Sequence, residues 1–165
     1  MKRFVTVMVL ALSLLSLHAC GSKEYERKIE EKDLPPAVAQ AFKAAYPNAE
    51  VRGYSEEAEG KEKLYEISFT NEGKQIDIAY ASDGALLEVE ETIALADAPE
   101  AVRTELARAF PQAEIQRVES IRKGERLFYE LKLKAQKQGE TKHYELVFDE
   151  KGNLLEEEIE GEEEE

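Results

Sequence analysis

Tryptophan is absent from the 165 residues, histidine occurs twice (His18 and His143), and cysteine occurs once, at Cys20. A single cysteine excludes an internal disulfide and any site built from several thiolates, and because His18 falls in an amino-terminal segment read below as a cleaved signal, His143 alone remains and a multi-histidine metal centre is excluded. Clustered lysine or arginine is missing as well, and the formal net charge is −14. Phosphate contacts need such clusters, so nucleic acid is excluded as a partner and anionic lipid headgroups are disfavoured. No glycine-rich loop leads into a helix: Gly60 and Gly124 fall between strand patterns, which leaves nucleotide binding without support. No cofactor is expected.

The one long apolar run stands at the amino terminus. Lys2 and Arg3 precede an almost wholly apolar stretch from Phe4 to Leu17, followed by Leu17-His18-Ala19-Cys20-Gly21. That run is too short to span a bilayer comfortably and suits a secretory signal. Leu17, Ala19 and Cys20 resemble the cleavage motif of a bacterial lipoprotein signal. The resemblance implies removal of residues 1–19 and acylation of Cys20, and so a membrane contact made through lipid; an ordinary secretory peptide is the simpler alternative. Several acyl chains hold a protein stably where one does not. Gly21 is not the aspartate associated with inner-membrane retention in some Gram-negative bacteria, which favours the outer membrane if the cell is of that kind, with the protein facing the periplasm or the surface.

Loss of Lys2 and Arg3 takes the formal charge to −16, and eight of the ten residues from Glu156 to Glu165 are glutamate. Residues 20–32, rich in Lys and Glu without apolar spacing, read as a tether, and residues 161–165 as a solvated acidic tail.

Between them the same unit occurs twice. Residues 33–70 align without a gap on residues 97–134, with 11 of 38 pairs identical, among them Asp33/Asp97, Pro35/Pro99, Val38/Val102, Pro47/Pro111, Gly60/Gly124, Tyr65/Tyr129 and Glu66/Glu130. Asp33 and Asp97 stand ahead of prolines as helix N-caps. Val38, Phe42, Ala45 and Tyr46 recur at helical spacing, as do Val102, Leu106, Ala109 and Phe110, and Pro47 and Pro111 end both helices. Tyr65, Ile67 and Phe69, then Ile76, Ile78 and Tyr80, alternate with polar residues, as do Tyr129, Leu131 and Leu133 and then Tyr144, Leu146 and Phe148. Asn71-Glu72-Gly73 turns between the first pair, and the second pair gains four residues around Gln136 to Glu140. The expected fold is α+β: two tandem repeats, residues 33–93 and 94–160, each one helix packed on a four-stranded antiparallel sheet.

Tandem units opening on Leu34-Pro35 or Ala98-Pro99, ending their helix at Tyr46-Pro47 or Phe110-Pro111, and carrying a central Tyr65-Glu66 or Tyr129-Glu130 pair resemble the PepSY-like domains, related in fold to the β-lactamase inhibitor proteins. The resemblance covers residues 33–160 and implies a secreted or envelope module that binds or regulates another protein, such as a peptidase or other hydrolase. Two departures stand out. Those inhibitors carry disulfides that this chain lacks, and their binding surface is rich in aromatics.

Little here could run a reaction. His143 precedes the buried period at Tyr144, which puts it on the wet face as ordinary surface or a local pH-sensitive contact. Glu66 and Glu130 occupy matching positions, yet paired acid and base work needs a carboxyl desolvated by a pocket, and the pattern puts both on the wet face. Asp83-Gly84 lacks the ligand series of a calcium loop. The chain is therefore expected to be no enzyme, with no catalytic and no metal-binding residues. Its candidate partner-binding face is the uncovered side of the sheets, carrying Leu64, Glu66, Phe128, Glu130, Lys132, His143 and Glu145, with Phe128 as anchor. The alternatives are a solvated face with Phe128 covered by the inserted loop, or a periplasmic lipoprotein that binds a small ligand or a divalent cation. The partner expected is an unidentified envelope protein.

Overall fold

Proline and the period-two pattern decide where helices end and which side of each strand is buried. In the computed structural model, which describes residues 25–59, 62–137 and 139–159, strand β1 (Tyr25–Ile29) leads through a 3-10 turn (Glu31–Asp33) into helix α1 (Pro36–Ala45). Strands β2 (Glu50–Glu59), β3 (Glu62–Asn71), β4 (Lys74–Ala81) and β5 (Leu86–Thr92) follow. A second 3-10 turn (Leu95–Asp97) and helix α2 (Glu100–Ala109) lead to β6 (Glu114–Lys123), β7 (Arg126–Lys137), β8 (Glu140–Asp149) and β9 (Leu154–Ile159). The signal peptide, Cys20, the first part of the tether, Gly60 and the acidic tail lie outside the described residues.

All nine strands form one antiparallel sheet in chain order, β1 to β9. This overturns the expected α+β fold of two repeats, each a helix on its own four-stranded sheet: the described residues are mostly β, with two ten-residue helices among them. The reason lies in β5, which is shared. It pairs with β4 along one edge, Ile78 against Val89, and with β6 along the other, Val89 against Arg122 and Thr92 against Glu119. A strand whose backbone groups are satisfied on both edges joins two units into one sheet. The ninth strand comes from Tyr25–Ile29, read from the sequence as tether, which pairs with β2 from Tyr25/Ala58 to Ile29/Tyr54.

Both helices stop where proline requires, with Tyr46 and Phe110 donating their backbone N–H to the Phe42 and Leu106 carbonyls and leaving helical geometry at matching dihedrals. Their starts differ from expectation. Pro35 and Pro99 hold the N-cap positions, without a side-chain cap, while Asp33 and Asp97 close the preceding 3-10 turns. Proline's fixed φ already sets the extended backbone that a cap residue needs. Each helix covers one patch of the same sheet face. Leu34, Val38 and Phe42 bury against Tyr65, Ile67, Phe69, Ile76, Ile78, Tyr80 and Val89, whereas Val102, Leu106 and Phe110 bury against Val118, Tyr129, Leu131, Leu133, Tyr144, Leu146 and Phe148. At roughly 25 cal/mol per Å² of apolar surface, these two cores supply most of the stabilisation available to a chain without disulfides.

Candidate functional site: the uncovered face of the sheet

Because strand side chains alternate, whatever does not face the helices faces the other way. On β3 that set is Leu64, Glu66 and Ser68; on β4, Asp77 and Ala79; on β5, Glu88, Glu90 and Thr92. On β6 it is Arg117, Glu119, Ile121 and Lys123; on β7, Phe128, Glu130 and Lys132; on β8, His143, Glu145 and Val147. The β5–β6 junction brings the carboxylates of the two repeats together.

Two pairs of carboxylates stand directly opposite one another across neighbouring strands, Asp77 with Glu90 and Glu119 with Glu130. Like charges in that relationship destabilise a sheet. One oxygen each of Asp77, Glu90 and Glu119 lies within 4.8 Å of the others. Arg117 bridges part of the cluster, its Nη2 2.6 Å from Glu119 Oε1 and 3.6 Å from Asp77 Oδ2, and Arg52 Nη2 lies 3.3 Å from Asp77 Oδ1. Lys132 sits between Glu145 at 2.9 Å and Glu130 at 3.5 Å, and Lys123 lies 3.0 Å from Glu88. Among the described residues neither Glu66 nor Glu90 forms an ion pair; Glu66 accepts only a long hydrogen bond from Ser68, at 3.5 Å.

Desolvation therefore dominates this face. Burial, reinforced by Glu57 and Asp77, pushes the Glu66 carboxyl up to about 8. Burial and then the neighbouring Glu88 push Glu90 up, and burial and Glu145 do the same to Glu130. Glu119 also rises through burial, against the pull of Arg117. For Lys132, burial pulls the ammonium down, but the hydrogen bond to Glu145 and the charge of Glu130 outweigh it. These carboxyls are not freely solvated, contrary to the wet-face expectation for Glu66 and Glu130, because burial among neighbouring strand side chains strips water from them.

The predicted residues separate into three places. Phe128, Glu130, Lys132 and Glu145 come together on β7 and β8. Leu64 and Glu66 lie four strands away, about 19 Å. His143 sits near the far end of β8, opposite Lys134, with Nδ1 3.3 Å from Gln116 Oε1. Phe128 is 5% exposed and packs with Ile121 and Val147 in an apolar island of its own, the Arg126 guanidinium 4.7 Å above its ring. The inserted residues do not cover it. They lengthen the β7–β8 hairpin as far as Lys137/Glu140, whereas Phe128 pairs with Asp149 at the opposite end.

Glu88, Glu90, Arg117, Glu119 and Ile121 were not in the predicted set. Their signal was the Glu88-Val89-Glu90 alternation, which has meaning only once β5 is paired on both edges. As a cation site the cluster is compromised, because Asp77 and Glu119 are already held by arginines that an ion would have to displace.

A family model described as "Putative beta-lactamase-inhibitor-like, PepSY-like" matches residues 22–88 and 63–156. No curated protein matches the chain. Among solved structures, a protein from Bacteroides eggerthii described as "putative periplasmic" is similar at 21% identity and TM-score 0.64, over 76% of this chain and 88% of that one. A BLIP-like protein from Bacteroides fragilis is similar at 20% identity and TM-score 0.59, over 79% of this chain and 89% of that one.

Proposed function

Since the chain belongs to the PepSY-like family, whose description is β-lactamase-inhibitor-like, we propose that it is a non-catalytic module of the bacterial cell envelope that holds another envelope protein against the uncovered face of its sheet. One observation carries this reading. The face keeps opposed, desolvated carboxylates at Asp77/Glu90 and Glu119/Glu130 that the fold does not need, since threonine or an aliphatic residue would pair there without repulsion. Stability given up on the face that the helices leave uncovered supports a surface kept for contact. The similar Bacteroides structures, one described as periplasmic and one as BLIP-like, fit an envelope module, and the family description makes secreted hydrolases the first class of partner to assay.

Lipid on Cys20 places the module at a membrane in this reading. β1 begins five residues after Cys20, a reach of at most about 17 Å, so the domain stays close to the lipid surface. A Cys20→Ala protein that still sediments with membranes would remove the anchor from this proposal.

The binding test uses the full chain, immobilised in nonionic detergent and exposed to native envelope extract. Glu90→Lys, which sits among Asp77, Glu88 and Glu119, keeps the fold and blocks the face; Gln40→Lys on the exposed side of α1 serves as control. The expected result is a hydrolase or other envelope protein retained by wild type and Gln40→Lys and lost from Glu90→Lys. Retention by all three, or by none, overturns the proposal.

A further inference from the structure

Six large apolar side chains are exposed among the described residues: Tyr25, Val51, Leu86, Leu87, Leu154 and Leu155. Five of them share one end of the sheet. The strand register carries that end from Tyr25, beside Ala58, to Tyr80 beside Leu86, and on through Lys123 and Arg126 to Phe148 beside Leu154. Val51 stands at the other end, opposite Phe69. We infer that the first of these ends faces the lipid surface, and that Leu86 and Leu87 dip into it. The inference rests on acylation of Cys20 and adds which end of the domain meets the membrane.

Three features point to lipid. The first is where the chain enters. β1 starts at this end with Tyr25, five residues after Cys20 and at most about 17 Å from it, whereas a ten-residue strand such as β2 is about 33 Å long. A tether shorter than the strands seats this end nearer the lipid than the end that carries Val51. The second is repetition. A single exposed leucine needs no explanation, but Leu86-Leu87 and Leu154-Leu155 are adjacent pairs that open the last strand of each repeat, just after the turns at Gly84 and Gly152. The third is position. β5 is the middle strand of nine, and strand directions turn by roughly 20° from one strand to the next, so the ends of β1 and β9 fall away to either side and the end of β5 stands foremost. That end carries the most exposed of the leucines, Leu86 at 56%, beside Leu87 at 38%. The formal charge of −14 disfavours attraction to anionic headgroups, so the contact is apolar and is expected on zwitterionic lipid. A domain standing on this end leaves the uncovered face open sideways to a partner in the envelope.

The test places the full acylated protein in vesicles of phosphatidylcholine with brominated acyl chains. The chain has no tryptophan, so Leu86→Trp and Val51→Trp each supply one fluorescent reporter, at opposite ends of the sheet. Leu86→Trp is expected to shift its emission to shorter wavelength and to lose roughly half of it to the bromines, at the depth of about 5–10 Å that interfacial side chains reach. Val51→Trp is expected to keep its emission, which controls for the affinity of tryptophan itself for the interface. If Leu86→Trp fails to fold, Leu87→Trp carries the same expectation. A leucine-site reporter that is not quenched, or equal quenching at both ends, overturns the inference. The two readings fail separately. Protein that no longer floats with the vesicles removes the acyl anchor and this inference together, whereas flotation without quenching removes the inference alone and leaves the anchor and the partner-binding face standing.

Discussion

Asp77 on β4 and Glu90 on β5 stand directly opposite each other on the uncovered face, and among the described residues no cation pairs with Glu90. The sign of the pH dependence follows. Glu66 is raised from the ordinary 4.5 to about 8, so between those values the unfolded chain has lost its proton while the folded chain keeps it. Stability is greatest below 4.5 for such a group and falls as pH climbs to about 8. Glu90, Glu119 and Glu130 are displaced in the same direction, chiefly by burial. The melting temperature is therefore expected to be higher at pH 5 than at pH 8, by more than about 5 °C. A calorimetric profile that is flat or rising across that window would mean that these carboxyls ionise freely in the fold.

Glu90→Gln keeps the shape and removes a carboxyl that burial forces to take up a proton on folding. At pH 8 it is expected to stabilise the protein, on the order of 1 kcal/mol, and to flatten the pH profile. Chemical unfolding at pH 8 and pH 5 checks both parts. Destabilisation at pH 8 would show that Glu90 has an internal role that its surroundings do not reveal.

The parts of the fold that could be read from the sequence are those with a local cause. Pro47 and Pro111 end the helices where expected, and the alternation at Tyr65–Phe69 and Tyr144–Phe148 gives the correct buried side. β1 escaped because an edge strand with no fully buried residue, Tyr25-Glu26-Arg27-Lys28-Ile29, has no period to detect. The joining of β5 to β6 escaped because their pairing spans a whole helical connection, from Thr92 to Glu114, and nothing local records it. The candidate face was half legible for the same reason. Alternation shows that Glu66 and Glu130 point away from the helices, but only the continuous sheet shows how closely their neighbours crowd them.

Glu56 is the opposite kind of carboxylate. Its Oε1 accepts hydrogen bonds from the Tyr25 hydroxyl at 2.7 Å and Lys63 at 2.9 Å, and its Oε2 from Arg27 at 2.9 Å, tying the edge strand to β2 and β3. Those bonds hold its carboxyl down at about 2, so its contribution is full above 4.5 and is lost as pH falls toward 2. Glu56→Gln is expected to loosen β1. Hydrogen exchange at pH 6 should quicken at the amides of Arg27 to Ile29 while those of β7 and β8 stay protected; unchanged exchange in β1 would assign its docking to the backbone ladder alone.

In both repeats the turn before the last strand closes against the first turn of the helix. Gly84 has φ +85° and Gly152 φ +79°, a region that other L-residues enter at a cost of about 1–2 kcal/mol. A Cβ at Gly152 would stand 2.6 Å from the Ala101 carbonyl oxygen, and one at Gly84 2.9 Å from that of Ala37. Both neighbours are backbone at the start of a helix, so relief requires the helix itself to shift. Gly124 also has positive φ, +60°, but nothing lies within 4 Å of its added Cβ. It isolates the conformational cost from the steric one. Gly124→Ala should lose about 1 kcal/mol, Gly84→Ala more, and Gly152→Ala the most, on the order of 3 kcal/mol, measured by urea unfolding at a fixed pH. If all three lose the same amount, strain in φ accounts for everything and the helices do not rest on these turns. The graded order would instead show that close approach of turn to helix is what seats α1 and α2 on the sheet, leaving the other face uncovered.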